Sequence, residues 1–145
     1  MEHTTPEQPL LNLYQLISGP AKQDRPWDKI KDLFLPETRI RMELPEEDGS
    51  VRRLDWTVDD FAKEAAKHYS QDGFWEKEIA RRTERYGNIA HVFSTYESRA
   101  GDPESDPIAR GINSVQMLCR EGRWLIAGII FHMEQAGFPI PEKYL

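Results

Sequence analysis

Several residue types that mark common functional classes are scarce in this chain. Its 145 residues include one cysteine, Cys119, so an internal disulfide cannot form, as expected for a protein of the reducing cytoplasm. Lys and Arg number 19 against 25 Asp and Glu, which gives a formal net charge of -6. Nucleic acids and anionic membranes attract concentrated basic surfaces, so we expect neither as a partner.

Long apolar runs and metal motifs are missing as well. The longest apolar run, 125–131, is much shorter than the ~20 residues that cross a bilayer. No basic segment followed by an apolar one stands at the N-terminus, so no signal peptide is expected. Histidine and cysteine pairs at zinc spacing, glycine-rich phosphate loops and GxSxG motifs are absent from the sequence. The sequence therefore predicts no metal site and no cofactor.

Apolar side chains at helical spacing predict three helices. Residues 1–8 are polar and are predicted to be disordered. The first helix is predicted from residue 10 to the Gly-Pro pair at 19–20, which stops it, and a short second helix covers 27–34. Thr57, with Asp60 three positions later, is a good N-cap for a third helix.

Alternating and β-branched patterns predict six strands. Apolar and charged residues alternate cleanly in the first of them, which is typical of a strand buried on one face. The later strands are long, and Gly87-Asn88 and Glu121-Gly122 are typical hairpin turns between them. The predicted strands cover residues 37–44, 50–56, 74–86, 89–99, 110–120 and 123–133.

This order of elements predicts one α+β domain over residues 1–145. We expect a curved, cone-shaped antiparallel sheet of about six strands, with three helices packed on its concave face. Residues 135–145 carry two prolines and four apolar side chains, and are predicted to be an extended C-terminal tail. A cleft is expected at the open end of the cone.

The order of the elements and three short sequence segments resemble the nuclear transport factor 2-like superfamily, in its SnoaL-like branch of unassigned function. The segments are LFLPETRIRMEL, RGINSVQML and EGRWLIAGIIFHME, and the resemblance covers roughly residues 10–134. It implies a cone with an apolar pocket, and commonly a homodimer formed through the sheet. The fold hosts many unrelated functions, so the resemblance does not specify a reaction.

The enzymes of this superfamily have catalytic sets that are incomplete in this chain. Ketosteroid isomerases have a general-base Asp late in the first strand, where this chain has Met42 or, with a shifted register, Ile40. Tyr14 could stand for their oxyanion-hole Tyr, but the position of their protonated Asp falls near Ser114. A methionine cannot abstract a proton, so the isomerase base is missing.

Two other enzyme types of the superfamily also match only in part. Epoxide hydrolases of this fold use an Asp-Arg-Asp set on the late strands, and this chain has Arg110 without either Asp. Scytalone dehydratase uses two His and an Asp, for which His91 and His132 are the strand histidines available. The two histidines could form a general acid/base pair. The simpler interpretation is one histidine inside the cone and one at its rim.

Polar and aromatic residues give further candidates for ligand binding. Ser114 and Gln116 share a strand face that is otherwise apolar, and the register comparison predicts that this face looks into the cone, with Asn113 outward. Core packing is the alternative for the aromatic candidates, although a buried Tyr or Trp needs a polar partner. These aromatic candidates are Tyr14, Trp27, Trp56 and Tyr96.

Three functions remain open on the sequence. The first is a domain that binds a small, mostly apolar molecule in an apolar pocket. The second is an isomerase, cyclase or dehydratase that uses a pocket histidine as general acid/base. The third is a dimeric interaction module without a ligand, which assembles through the sheet and the C-terminal tail.

Overall fold

The computed structural model describes residues 4–145, with every side chain in that range except that of Ser70. Within this range, three α-helices and six strands follow the predicted order. A short 3₁₀ helix lies at Glu142–Tyr144. The elements are α1 (Gln8–Ile17), α2 (Trp27–Lys31), β1 (Arg39–Pro45), β2 (Val51–Thr57), α3 (Val58–Gln71), β3 (Phe74–Tyr86), β4 (Ile89–Ala100), β5 (Ala109–Arg120) and β6 (Arg123–Met133).

The helices differ from their predicted bounds at two places. Of the predicted disordered segment 1–8, residues 1–3 lie outside the described part; a turn at 5–7 leads into α1, and Pro6 is buried. The second helix ends earlier than predicted because the backbone of Leu33 and Leu35 bonds to Ile126 of β6 instead of continuing the helix. No helix within residues 4–145 is long and apolar enough to span a membrane.

The sheet is mixed, with the strand order β2-β1-β6-β5-β4-β3. β1 runs parallel to β6, whereas every other neighbouring pair is antiparallel. The predicted antiparallel sheet differs from the structure at this one pair. The reason is that α3 carries the chain from β2 at one edge to β3 at the other, so that the last strand returns beside the first in the same direction.

Bulges help the sheet to curve around its concave face. β3 has a bulge between Glu78 and Ala80, and the β5–β6 pairing shifts at Gln116/Met117. A bulge bends its strand and increases the local twist. The apolar core lies between the concave face and α1, and its largest fully buried side chain is Trp124 of β6.

α3 begins at a complete capping box, as the sequence predicts. The Thr57 hydroxyl accepts a hydrogen bond from the Asp60 backbone N–H at 3.0 Å, and the Asp60 carboxylate accepts one from the Thr57 N–H at 3.1 Å. Two N–H groups that a helix start leaves unpaired are thereby satisfied. The cap fixes where α3 leaves the first hairpin, and so places Phe61 at the wall of the cone.

Candidate functional site

A cavity of about 320 Å³ opens between the concave face of the sheet and helices α1 and α3; we call it the cone cavity. Its lining is mainly apolar and aromatic, with a few polar side chains. This volume lies at the lower end of the ~300–1,000 Å³ that small-molecule sites occupy. The lining residues are Leu13, Tyr14, Ile40, Phe61, Phe74, Glu76, Tyr96, Ser98, Ile108, Ala109, Asn113, Ile129, Phe131 and Met133.

Glu76 is the one lining residue of the described cavity that carries a carboxyl group. It lies two positions after Phe74 on β3, so both side chains point to the concave face. Ser18 joins its backbone to α1: the Ser18 hydroxyl accepts from the Glu76 N–H at 3.0 Å and donates to the Tyr14 carbonyl oxygen at 2.7 Å, with the Glu76 carbonyl oxygen 3.3 Å away. These bonds fix the strand at the point where the carboxyl enters the cavity.

The Glu76 carboxyl has no partner of its own. None of the hydrogen bonds or ion pairs among residues 4–145 reaches its oxygens. Burial raises the pKa of Glu76 from its ordinary 4.5 to about 8. Glu76 is half-buried and its carboxyl faces the space of the cavity, and groups with a pKa shifted in this way concentrate at functional sites. Glu76 is therefore the chemically distinctive group of the cavity.

A chain of hydrogen bonds beside Glu76 has a defined direction. The Ser94 hydroxyl donates to the Glu78 carboxylate at 2.7 Å, and therefore it must accept from Tyr14 Oη, which lies 2.8 Å away. Asn113 Nδ2 in turn donates to Tyr14 Oη at 2.9 Å. The proton of Tyr14 and one amide proton of Asn113 are thus already used within the protein, and what these residues still offer the cavity includes acceptor oxygens.

Two tyrosine hydroxyls of the cavity stay protonated. Burial, and then the negative charge of Glu76, raise the pKa of Tyr14 and of Tyr96. The Tyr96 hydroxyl lies over Gly111, where an added Cβ would come within 2.5 Å of Oη and 2.7 Å of the His132 carbonyl oxygen. Only glycine leaves room at this position, so the sequence of β5 allows Tyr96 to reach across the strand.

A buried arginine holds the segment between α1 and α2 against the site. The guanidinium of Arg25 donates to carbonyl oxygens of Ile17, Gly19, Pro20 and Gln23, at distances between 2.5 and 3.2 Å. Backbone bonds of 2.8 and 3.0 Å then join Gly19 to Phe74, two residues before Glu76. Arg25 thus organises the segment that is bonded to the start of β3.

Tyr14 and Tyr96 are the two predicted ligand-binding residues that line the cone cavity. Trp27 lies outside it, in an aromatic cluster with Phe61 and Tyr69 at ring distances of 6.2 and 6.3 Å. Trp56 lies on β2 opposite Ile40 and borders none of the described cavities. Of the four aromatic candidates, the structure therefore brings two together in one site.

The predicted orientation of β5 is wrong. Asn113 is buried and points into the cone, whereas Ser114 and Gln116 lie on the outer face, where Ser114 Oγ is 2.9 Å from His91 Nε2. The cause is a one-residue error in the assignment of faces, which moves every side chain of a strand to the other side. His91 consequently lies on the outer face as well.

His132 also lies outside the cone. It borders a groove of about 690 Å³ on the outer face of the sheet, where its ring is 5.8 Å from that of Phe138 in the C-terminal tail. The predicted histidine pair does not form, because β5 lies between β4, which carries His91, and β6, which carries His132. On β5, His91 is opposite Gln116 and His132 is opposite Ile112, which is four positions away. No histidine lines the cone cavity among the described residues.

Residues 4–145 contain no group of three His, Cys, Asp and Glu side chains that could hold a metal ion. Glu76, the group that sequence reasoning missed, stands in a strand with seven charged residues between Phe74 and Tyr86, and such a strand is typical of a solvated edge. One signal was available. Glu76 alternates with Phe74, so if Phe74 faces the core, Glu76 must do so too.

Comparisons with known proteins identify the fold. The sequence matches no protein-family model and no curated protein. An NTF2-like protein of unknown function from Silicibacter pomeroyi is 12% identical over 88% of this chain and 91% of its own, with a TM-score of 0.61. A protein from Novosphingobium aromaticivorans, provisionally named a scytalone dehydratase, is 12% identical over 89% and 81%, with a TM-score of 0.67.

A protein with a cystatin-like fold from Nostoc punctiforme is also similar, with 9% identity over 94% of this chain and 97% of its own and a TM-score of 0.64. At such identities the likeness shows the fold alone. The chain thus has the nuclear transport factor 2-like fold, as its sequence predicts. The activity must be argued from the site itself, because this fold supports many different functions.

Proposed function

We propose that the chain binds a small, mostly apolar molecule in the cone cavity, where Glu76 meets the polar group of the ligand. The observation that carries this proposal is the unpartnered Glu76 carboxyl inside a cavity that is otherwise lined largely by apolar and aromatic side chains. Ligand pockets have this composition: a predominantly apolar wall with a small number of placed polar groups. The polar groups here are Glu76, Tyr14, Tyr96, Ser98 and Asn113.

Filling the cavity should abolish binding. Ala109 lines the cone cavity from β5 and pairs with Ser98, so Ala109→Phe would place a ring in the space for the ligand. We expect native mass spectra of wild-type protein, purified gently from its own host, to show an additional small mass that Ala109→Phe lacks. Ala21→Phe, at an exposed loop position, is the matched control and should keep the additional mass. A mass that persists in Ala109→Phe would contradict the proposal.

Acid–base catalysis on the bound molecule is the second candidate function. A general acid or base works best when its pKa lies near the working pH, and the burial of Glu76 raises its pKa to about 8. Glu76 therefore takes the role that the sequence assigned to a pocket histidine. A measured pKa of Glu76 near the ordinary 4.5 would remove this candidate.

Assembly through the sheet stays a prediction. The outer-face groove exposes apolar side chains, with Ile130 60% and Phe138 65% accessible. Contiguous apolar surface of this kind favours association. The same native mass spectra report the mass of the assembly, and a monomer would contradict the predicted homodimer.

A further inference from the structure

The cone cavity has an imbalance of charge and of hydrogen-bonding groups. Among the described residues that line it, none is a lysine, arginine or histidine. Glu76 also borders a second, polar cavity with Lys77 and Arg99, and both of these cations pair with Glu97, at 3.5 and 2.7 Å. Two further guanidinium groups also have other partners. Arg81 pairs with Glu78 at 3.3 Å, and Arg25 is held by backbone carbonyls. Ionised Glu76 therefore needs a positive charge that the ligand supplies.

The neighbouring polar groups also offer oxygen atoms. The Tyr14 hydroxyl donates its proton to Ser94, and Asn113 Nδ2 donates to Tyr14 Oη. The Asn113 amide oxygen and one lone pair of Tyr14 Oη therefore remain as acceptors. Together with the two carboxylate oxygens of Glu76, they give the cavity several acceptors, beside the hydroxyl groups of Tyr96 and Ser98. An ammonium group carries three donors and a positive charge, and it complements such a set.

Aromatic rings complete the match to a cation. The rings of Tyr14, Phe74 and Tyr96 line the same cavity as Glu76. A ring face attracts a cation, and the attraction is stronger where water is excluded. A ligand carboxylate would find no cation among the described residues that line the cavity, and a neutral ligand would leave Glu76 protonated, as it is in the free protein at neutral pH.

We propose that the ligand of the cone cavity is a protonated organic amine, whose ammonium group pairs with Glu76 against the aromatic wall and whose hydrocarbon part fills the apolar remainder. This inference rests on the proposed function, and adds the chemical class of the ligand. Pairing requires the ionised carboxylate, so binding must remove the proton that Glu76 carries in the free protein. Proton release is therefore a signature that apolar packing alone would not produce.

Glu76 is the group that titrates in this process. The titratable groups that face it are Tyr14 from α1, Tyr69 from α3 and Tyr96 from β4, and burial together with the charge of Glu76 raises the pKa of each. Glu78 on the same strand is held by Ser94 and Arg81. The tyrosines stay neutral across the working range, and the change in protonation belongs to Glu76.

The test compares cyclohexylmethylamine with cyclohexylmethanol, which has the same shape without the charge, by isothermal titration calorimetry in buffers of different ionisation enthalpy. We expect the wild type to bind the amine at least ten times more tightly than the alcohol at pH 8. For a carboxyl that titrates at about 8, amine affinity should rise on the order of 50-fold from pH 6 to pH 8, with release of about 0.9 proton at pH 7.

Two variants make the comparison specific. Glu76→Gln keeps the shape of the side chain, and should bind amine and alcohol equally without proton release. Glu84→Gln removes the same charge at an exposed position of the same strand, and should keep the preference for the amine. Equal binding of both compounds by the wild type would overturn the amine assignment and leave the binding function standing. Binding of neither compound at millimolar concentration would overturn both proposals.

Discussion

Glu76→Gln is expected to stabilise the protein, by about 3 kcal/mol at pH 7 for the shift of the Glu76 pKa from 4.5 to about 8. Below pH 4.5 the carboxyl is neutral in the folded and the unfolded chain, so Glu76→Gln should be no more stable than the wild type. As the pH rises from 4.5 towards 8, the unfolded chain ionises and the folded one does not. Each pH unit in this window therefore costs the folded wild type about 1.4 kcal/mol, and the cost becomes constant above it.

Denaturant unfolding of ligand-free protein between pH 4 and pH 9 measures this difference. The matched variant Glu84→Gln, at an exposed position of β3, should follow the wild type at every pH. A difference between Glu76→Gln and wild type that does not change with pH, or a variant that is less stable at pH 7, would contradict the account. The expected gain also has a functional meaning, because sites for binding and catalysis are commonly kept at a cost in stability.

Arg25→Met is expected to destabilise the protein by about 3 kcal/mol or more, because four carbonyl groups lose a charged donor and at least two of them lie in buried surroundings. For a domain of this size the loss corresponds to a fall in Tm of about 10 °C. Methionine fills much of the space of the arginine stem, so the loss of stability measures the contribution of the guanidinium group. Thermal unfolding followed by circular dichroism measures it.

Two further variants separate the buried guanidinium from a general effect of losing an arginine. Arg82→Met removes an exposed arginine that donates to the Lys143 carbonyl oxygen at 3.1 Å, and should cost less than about 1 kcal/mol. Arg25→Lys keeps the charge without the planar fork that spans several carbonyls, and should fall between the two. If Arg25→Met were as stable as Arg82→Met, Arg25 would not organise the segment that reaches β3.

The order and the ends of the helices and strands could be predicted because the sequence signals for them are local. The Thr57 cap and the Gly87-Asn88 and Glu121-Gly122 turns fix the ends of the long elements, and the alternation in β1 fixes its faces. The parallel pairing of β1 with β6 is not local. It depends on how α3 crosses from one edge of the sheet to the other, and no residue of either strand signals the direction of its neighbour.

The candidate site was only partly predictable. β5 carries apolar side chains on both faces, Val115 inward and Ile112 outward, so its pattern could not reveal which face is concave. Tyr14 bonds to Ser94 and Asn113 across 80 and 99 positions of the chain, and contacts at such separations leave no short-range pattern. The sequence therefore predicts the faces of β5 the wrong way round, with Ser114 in the place that Asn113 occupies.

Glu76 was overlooked for a different reason. A carboxyl in a strand rich in charged residues is ordinarily solvated. Only the position of Phe74 and its β-bridge to Gly19 show that the beginning of this edge strand faces the cone. The second half of β3 behaves as the charge pattern suggests: Arg82, Glu84 and Arg85 are exposed. One strand thus serves as a wall of the site at one end and as a solvated edge at the other.

The most direct test of the account is the pKa of Glu76 in the ligand-free protein. Carbon-13 NMR of glutamate-labelled wild type, with the Glu76 signal assigned from its absence in Glu76→Gln, follows the carboxyl through its titration. We expect a midpoint at about 8, because the carboxyl is desolvated in the cone cavity and has no partner there. A midpoint near 4.5 would show a solvated or paired carboxylate, and would contradict the claim that Glu76 is the desolvated, unpartnered carboxyl of the cone cavity.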